Sequence, residues 1–218
     1  MQRRGLDNLA VLSDLPQALM DYADHPRASK KLTPRKLFTY VASLLLISLA
    51  DPNPATFSIG CVLVALAWLL RIWSFGHLEK NCTMVTTGPY AHTRNPAYLG
   101  SFLALLGVAL AAGNPDTTSG RSAWGFGVFL VIVFFAVYLP RKFRKEYPRL
   151  QELFGEALEQ HAKNVPDFFP RLRAWRSGDD RKFSWARVSA NHEWSWGFVL
   201  TFVMALIFFV DCWSPLHP

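Results

Sequence analysis

The chain has 218 residues, of which 51% are hydrophobic, and 23 lysines and arginines against 16 acidic residues give a net charge of +7. This apolar content is typical of a membrane protein and argues against one or two ordinary soluble domains. The three cysteines have no metal-ligand spacing, so we predict neither a metal site nor a disulfide.

The first 36 residues are a polar segment with regularly spaced leucines. They contain no apolar core of a secretory signal peptide, so we expect no cleavable signal there. The spacing predicts an amphipathic helix on the cytoplasmic surface of the membrane, and the alternative is a mobile tail. We therefore separate residues 1–36 from a membrane domain at 37–218. The leucines are Leu6, Leu9, Leu12, Leu15 and Leu19.

Five apolar stretches follow, at 37–50, 55–70, 96–112, 123–139 and 194–213. A bilayer core needs a helix of about 20 residues, so the first two stretches are short unless flanking residues extend them. The DPNP sequence between them predicts a tight turn in a helical hairpin. We predict an all-α, polytopic membrane helical bundle of about five transmembrane helices with a cytoplasmic helical cap. We expect no β-sheet beyond a short extended lead-in near Met84.

The basic residues are segregated by side. Seven lysines and arginines precede the first stretch, three lie between the second and third, and twelve lie between the fourth and fifth. Only Arg121 falls in a loop on the opposite side. By the positive-inside rule the N-terminus is cytoplasmic and the last span ends outside. The net charge is thereby explained by orientation and by anionic headgroups, so we predict no nucleic-acid partner.

Residues 88–100 read GPYAHTRNPAYLG and overlap the start of the third apolar stretch. Asn95 and Pro96 predict a helix start, because asparagine accepts a hydrogen bond at the N-cap and proline loses no needed N–H in the first turn. The free amides of that turn, together with Arg94, suit a carboxylate or a phosphate. The alternative is structural, an interfacial aromatic belt with Tyr90 and Tyr98 beside a snorkelling arginine.

The longest polar region, residues 141–193, begins with a helical period. We predict that Pro148 starts this helix as a first-turn residue and that Glu146 lies at the junction with the fourth span. The sequence VPDFFP at 165–170 should end the helix, because proline disfavours helix at the residue before it. The RSGDDRKF sequence after it predicts a solvated turn. One face of the helix should carry Tyr147, Leu150, Phe154, Ala157, Leu158 and His161.

Two blocks resemble one family. The sequence TMVTTGPYAHTRNPAYLG at 83–100 is similar to the signature of integral-membrane methyltransferases related to isoprenylcysteine carboxyl methyltransferase and the phospholipid methyltransferases, which reads G-x-Y, three residues, then R-H-P-x-Y-x-G. Residues 146–170 resemble the family's E-E-x-x-L-x-x-x-F-G-x-x-Y-x-x-Y followed by V-P-x-F-x-P. The residues in register in this second block are Glu146, Leu150, Phe154, Gly155, Val165, Pro166, Phe168 and Pro170.

The resemblance implies methyl transfer from S-adenosyl-L-methionine to a lipophilic acceptor that enters sideways from the bilayer. It implies a cytoplasmic cofactor pocket built from the first block, the fourth span and the cap after that span. Glu146 matches the family's cofactor-binding glutamate. The other implied cofactor-binding residues are Cys82, Thr83, Met84, Val85, Tyr90, Asn95, Pro96, Ala97 and Tyr98.

The implied catalytic cation is Lys142. It lies one helical turn before Glu146, where the family carries a basic residue that contacts the acceptor. Arg141 and Arg144 are rival candidates, and the alternative for this cluster is membrane anchoring. Three differences from the family pattern are Asn95 in place of histidine, Tyr147 in place of the second glutamate, and Leu158 and His161 in place of two tyrosines.

Two further functions remain open at this stage. A sterol-type membrane reductase that uses NADPH shares the cytoplasmic-cap architecture, but the second block lacks an extra basic set for a 2′-phosphate. A non-catalytic lipid-binding protein with a degenerate pocket is the other alternative. We expect membrane lipids as partners and a location in the inner membrane of a bacterium. The sequence alone predicts neither the acceptor nor the oligomeric state.

Overall fold

The computed structural model describes residues 34–79, 82–176 and 178–213. The chain divides into two units, Met1–Phe38 and Thr39–Pro218. Almost all of the first unit lies outside the described residues, and the predicted amphipathic helix at 1–36 falls there. That helix and the boundary between the two predicted segments therefore stay predictions.

The described residues are mainly helical, and the all-α prediction is confirmed. No β-strand occurs in the ranges 34–79, 82–176 and 178–213, and the predicted lead-in around Met84 has no regular structure. A short 3₁₀ turn spans Gly88–Ala91, and a π-helical segment spans Phe134–Tyr138. The α-helices are α1 Pro34–Ser48, α2 Pro54–His77, α3 Pro96–Ala111, α4 Thr118–Val133, α5 Leu139–Asn164, α6 Trp185–Ala190 and α7 Glu193–Trp213.

Three helical stretches are long and apolar enough to cross a membrane, namely Pro54–His77, the continuous Thr118–Asn164 and Glu193–Val210. Two shorter apolar helices, Leu37–Ser48 and Pro96–Ala111, accompany them. Each of the five predicted stretches thus coincides with an apolar helix. At about 1.5 Å rise per residue the two shorter helices are less than the bilayer core in length. The protein is a membrane protein.

Small residues set the spacing of the central helix pair, α2 and α3. A Cβ atom added to Gly60 would lie 2.5 Å from the Gly107 carbonyl oxygen, so the two backbones touch at this level. Membrane helices commonly pack in this way. In lipid the hydrophobic effect does not drive helices together, so their association depends on close van der Waals contact. Buried side chains from α1, α2, α3, α4 and α7 surround this contact, among them Leu46, Val64, Val108, Ala123, Met204 and Ile207.

The turns at one end of the bundle are tied together by hydrogen bonds. The Asn53 side chain accepts from the Ala55 amide at 2.9 Å and caps α2. Asp51 is buried, its amide donates to the Ala112 carbonyl at 2.9 Å, and its carboxylate accepts from the Thr117 hydroxyl. This end of the bundle is opposite to the end that carries the two motif blocks.

The fourth span and the cap form one continuous helical path, which differs from the prediction that Pro148 starts a separate helix. Pro148 lies inside α5. Proline removes one hydrogen bond to the residue four positions earlier, and that residue, Arg144, is exposed like Pro148 itself, so water can reach the freed carbonyl. The break lies instead at Gly155, whose φ of 44° and ψ of −116° are not helical. Glycine reaches this region because it has no Cβ.

The bend at Gly155 divides the predicted helix face into two parts. Beyond it Leu158 and His161 are buried, whereas Tyr147 before it is exposed. The helix ends at Asn164, as the VPDFFP sequence predicts. The short helix α6 follows the predicted turn and is not anticipated by the sequence pattern.

Candidate functional site

The two motif blocks meet at the carboxylate of Glu146. Tyr98, in the first turn of α3, donates from its hydroxyl to Glu146 Oε2 at 2.6 Å. Lys142 Nζ lies 2.5 Å from Glu146 Oε1 and 5.5 Å from the centre of the Tyr98 ring. The Lys142 and Glu146 side chains are 28% and 41% exposed. We call these three residues the carboxylate cluster, and its accessibility makes it suited to binding a ligand.

The carboxylate cluster adjoins a group of aromatic rings at the junction of the fourth apolar stretch and α5. Tyr98 meets Tyr138 edge to face, with ring centres 6.2 Å apart, and Phe143 at 6.4 Å. Tyr138 closes the π-helical segment Phe134–Tyr138. Such π-helical turns occur frequently at functional sites. The polar cluster therefore has an apolar, ring-lined boundary toward the spans.

The start of α3 is where the sequence predicts it, but its capping differs. The helix begins at Pro96, whereas the Asn95 side chain makes no cap and instead donates to the Asp167 carbonyl at 2.9 Å. The φ of −128° and ψ of 56° at Asn95 lie outside the extended geometry of a side-chain cap. The amides of Tyr98 and Leu99 both donate to the Asn95 carbonyl. Those two amides are therefore not available to the anion that the sequence pattern predicts.

The end of the second block packs on the first block and is joined to it by hydrogen bonds to its backbone carbonyls. The Arg94 amide donates to the Pro166 carbonyl at 2.9 Å, and the Thr93 hydroxyl donates to the Phe168 carbonyl at 3.0 Å. Further along, the Arg171 amide donates to the His92 carbonyl at 2.9 Å. These contacts hold residues 91–95 in one conformation, from which α3 starts.

Two buried polar atoms in this region have no hydrogen-bond partner among the described residues, Arg94 Nε and His161 Nδ1. Arg94 Nη2 forms an ion pair with Asp167 at 2.5 Å, so only part of the guanidinium is paired. His161 Nε2 donates to the Tyr90 carbonyl at 2.8 Å. In the neutral ring Nδ1 is then an acceptor. A buried donor and a buried acceptor without partners are unusual, and a bound polar ligand would satisfy them.

Tyr90 is buried in the 3₁₀ turn that precedes α3. Burial raises the pKa of the Tyr90 hydroxyl, Arg71 opposes the rise, and the Glu193 and Glu146 carboxylates add to it. The hydroxyl therefore stays protonated at neutral pH and is available as a donor.

The predicted lead-in residues differ in accessibility. Cys82 and Thr83 are exposed, Met84 is half-buried and Val85 is buried. A later segment holds this lead-in, because Arg181 donates to the Thr83 hydroxyl and Asp179 accepts from the amide and hydroxyl of Thr86. The sequence pattern treats that later segment as a solvated turn and does not predict this role.

The three predicted catalytic cations are separated by the structure. Lys142 contacts Glu146, whereas Arg141 and Arg144 are exposed on the same helix. The helical spacing of four residues explains the difference, since positions i and i+4 lie on one face. The structure therefore brings Lys142, Tyr98 and Glu146 together and leaves the other two basic residues outside this cluster. The catalytic role of all three cations is untested, and the geometry favours Lys142 over the two exposed arginines.

The sequence analysis missed the ion pair between Arg71 and Glu193. Arg71 Nη2 lies 2.8 Å from Glu193 Oε1, and the two side chains are 11% and 5% exposed. Arg71 directly follows the second apolar stretch, and Glu193 directly precedes the fifth. One arginine and one glutamate, each next to the end of an apolar stretch, were the signal in the sequence that could have suggested the pair.

Comparison with known proteins identifies a region that contains the first block and the beginning of the second. Residues 55–157 match the model of the family described as phospholipid methyltransferase. The cobalt-zinc-cadmium resistance protein CzcN of Cupriavidus metallidurans is 31% identical over 126 residues, which are 57% of this chain and 53% of that protein. The nickel-cobalt-cadmium resistance protein NccN of Alcaligenes xylosoxydans xylosoxydans is 30% identical over 127 residues, 57% of this chain and 54% of that protein.

A characterised type of enzyme is also among the relatives. The protein-S-isoprenylcysteine O-methyltransferase of Schizosaccharomyces pombe is 30% identical over 104 residues, which are 45% of this chain and 40% of that enzyme. No solved structure gives a significant match. The chain spans about half the length of the first two relatives. The resemblance inferred from the two blocks is confirmed, because residues 55–157 match the phospholipid methyltransferase model and one relative is an isoprenylcysteine methyltransferase.

Proposed function

We propose that this protein transfers a methyl group from S-adenosyl-L-methionine to a lipophilic acceptor at the cytoplasmic face of the membrane. One observation supports this most strongly. The two blocks that resemble the methyltransferases, 48 positions apart at Tyr98 and Glu146, meet in one accessible cluster at the end of the apolar spans. A methyl donor from water and an acceptor from lipid have to meet at such a boundary.

The residues present fit the proposed cofactor. Glu146 is a suitable acceptor for ribose hydroxyls, and the Tyr98 and Tyr138 rings offer faces for adenine or for a cationic sulfonium. The unpaired Arg94 Nε–H suits the carboxylate of an amino acid, and the unpaired His161 Nδ1 suits an N–H donor. The buried groups that lack protein partners thus match the polar ends of this molecule in kind.

The chemistry of the reaction requires little acid or base from the protein. The cofactor, when bound, supplies a methyl group on a positively charged sulfur. Glu146 and Tyr98 would bind and orient it, and the ring-lined boundary near Tyr138 would exclude water from the reacting atoms. Lys142 lies against Glu146 at 2.5 Å and would hold an anionic acceptor in line by charge. This cation favours a carboxylate, thiolate or phenolate over a neutral amine.

The proposed orientation places the site in the cytoplasm. Twelve of the 23 lysines and arginines lie between residues 140 and 193, in the cap that carries Glu146 and its neighbours. Positive residues accumulate on the cytoplasmic side of membrane proteins. The inner membrane of a bacterium is the proposed location, with membrane lipids as neighbours. The family match favours methyl transfer over the reductase alternative.

The test is transfer of radiolabelled methyl groups by the purified protein in lipid nanodiscs. The acceptors are a prenylated cysteine with a free carboxylate, a phosphatidylethanolamine and a quinol, each compared with a Glu146→Gln variant and an exposed control, Glu152→Gln. Label should enter an anionic acceptor with the wild type and the control, and much less with Glu146→Gln. Equal background labelling for all three proteins with every acceptor would contradict the proposal.

A further inference from the structure

A buried ion pair lies directly behind the first turn of α3. Arg71 of α2 binds Glu193 of α7 at both carboxylate oxygens, Nε to Oε2 at 2.9 Å and Nη2 to Oε1 at 2.8 Å. The Arg71 guanidinium also lies over the Trp196 ring, 4.1 Å from its centre, and 5.2 Å from that of Phe75. The pair is therefore enclosed on both faces by α2 and α7.

The other nitrogen of the guanidinium is directed at α3. Arg71 Nη1 donates to the Ala97 carbonyl at 3.1 Å and to the Ser101 hydroxyl at 2.7 Å. Four hydrogen bonds thus use four of the five N–H donors of the arginine. An arginine with its donors committed to the protein has little capacity left for a ligand. Its contacts fix the position of α3 instead.

The packing of α3 against this arginine is close. A Cβ atom at Gly100 would lie 2.6 Å from Arg71 Cγ, so glycine at this position leaves room for the aliphatic part of the Arg71 side chain. Ala97 precedes Tyr98 in the first turn of α3, and Ser101 lies one helical turn after Ala97. The start of α3 is held by Arg71 through Ala97 and Ser101, and by Glu146 through the Tyr98 hydroxyl. A shift of Arg71 would therefore move Tyr98 relative to Glu146.

The energetics also favour a positional role over a stabilising one. Removing two charges from water costs several kcal/mol per ion, so a buried pair adds little net stability compared with apolar residues of similar size. Directed, bidentate contacts nevertheless define a geometry more strictly than apolar packing does. Lysine cannot reproduce them, because its single ammonium cannot reach both carboxylate oxygens, a carbonyl and a hydroxyl together.

We propose that Arg71 and Glu193 form a positioning unit for the cofactor site, in which the last span orients Arg71 and Arg71 sets Tyr98 against Glu146. Glu193 lies outside residues 55–157, which match the family model. The cofactor site would therefore also need α7, which that region does not include. The inference rests on the proposed function for its consequence, cofactor affinity. Its structural part, the placement of Tyr98, can be measured without any cofactor.

The test uses four variants in nanodiscs. Arg71→Lys keeps the charge and loses the directed bonds, Glu193→Gln removes the orienting charge, and Ser101→Ala removes one contact with the least risk to folding. Asp51→Asn is the matched control, since Asp51 is also a buried carboxylate that joins two loops, at the opposite end of the bundle. Two readouts are taken, adenosylmethionine affinity by calorimetry and the ¹⁹F NMR spectrum of protein labelled with 3-fluorotyrosine. The Tyr98 resonance is assigned from Tyr98→Phe.

The expected result is a displaced Tyr98 resonance in all three positioning variants and none in Asp51→Asn. Arg71→Lys and Glu193→Gln should also weaken cofactor binding about ten-fold, and Ser101→Ala a few-fold, as expected for lost charge-assisted hydrogen bonds. An unchanged Tyr98 resonance in Ser101→Ala and in whichever of the other two variants folds would overturn the inference. A displaced resonance with no cofactor binding by the wild type would refute the proposed function and leave the positional claim supported.

Discussion

The Tyr98 hydroxyl and the Glu146 carboxylate, 48 positions apart in the sequence, are joined by a 2.6 Å hydrogen bond. The bond connects the first turn of a span to the cap helix that follows another span. Lys142 approaches the second oxygen of the same carboxylate at 2.5 Å. A single carboxylate therefore links the two parts of the chain that resemble the methyltransferases.

The first prediction concerns the cation of the carboxylate cluster. Lys142→Gln should lower kcat for an anionic acceptor about ten- to a hundred-fold, because a positioned charge that stabilises the acceptor is lost. Adenosylmethionine affinity should change much less. Steady-state kinetics beside calorimetry separates these two effects.

Arg144→Gln is the matched control for this prediction, since Arg144 is an exposed cation on the same helix. Its kcat should remain within about two-fold of the wild type, as for surface substitutions elsewhere. A wild-type kcat in both variants would show that the basic cluster acts only as a membrane anchor. Equal losses of kcat in the two variants would show that Lys142 has no role separate from that of Arg144.

The second prediction concerns the bend in α5. Gly155→Ala should lower the free energy of unfolding by about 1 to 3 kcal/mol, because alanine is strained at the φ of 44° found there. Among the described residues no atom lies within 4 Å of an added Cβ, so the cost is one of backbone conformation and not of space. Thermal unfolding in detergent measures it.

Gly125→Ala serves as the control for the bend. An added Cβ at Gly125 also meets nothing within 4 Å, but this residue has ordinary helical backbone in α4. Alanine there should be neutral or stabilise the helix by up to about 1 kcal/mol. If both variants melted like the wild type, the positive φ at Gly155 would not be a feature of the native fold.

The third prediction concerns the close approach of α2 and α3. Gly60→Ala should destabilise the protein by about 1 to 3 kcal/mol, because the new Cβ would lie 2.5 Å from the Gly107 carbonyl and the helices would have to separate. Thermal unfolding provides the measurement. A melting temperature unchanged from the wild type would mean that these two backbones are not in contact.

The fourth prediction concerns orientation. Cys82 is exposed in the loop that precedes the first block. In a protein with Cys61 and Cys212 replaced by serine, a membrane-impermeant maleimide should label Cys82 in inverted vesicles and not in intact cells. Asp116→Cys in a protein without native cysteines is the control, since Asp116 is exposed in the loop between α3 and α4. It should show the reverse pattern, and labelling of Cys82 in intact cells would invert the proposed topology.

Much of this architecture could be predicted from local sequence. An apolar run predicts a membrane helix because lipid accepts few other side chains. All five runs coincide with helices, and three of these lie in helical stretches long enough to cross a membrane. Pro96 predicts the start of a helix because the fixed backbone geometry of proline suits the first helical turn. Only the resemblance assigned Tyr98 and Glu146 to one predicted cofactor site, and their hydrogen bond was not predicted, since residues 48 positions apart have no local signal for a contact.

The features that were missed depend on contacts between distant residues. Arg71 and Glu193 are 122 positions apart, and each looks like an ordinary charge at a span end. The contact between His161 and the Tyr90 carbonyl spans 71 positions. The predicted helix start at Pro148 was also wrong, because the prediction relied on this proline and gave no weight to Gly155, where the helix breaks. Tolerance of Pro148 depends on its exposure, which only the packed structure defines.

The most direct test of the central claim is a calorimetric titration of the purified protein in nanodiscs with S-adenosyl-L-methionine. Wild type and the exposed control Glu152→Gln should bind with equal affinity. Glu146→Gln should bind about ten- to a hundred-fold more weakly at an unchanged melting temperature, as expected when a charged hydrogen-bonding partner is lost. Absence of binding by the folded wild type, or equal affinity of all three proteins, would contradict a cofactor site at Glu146.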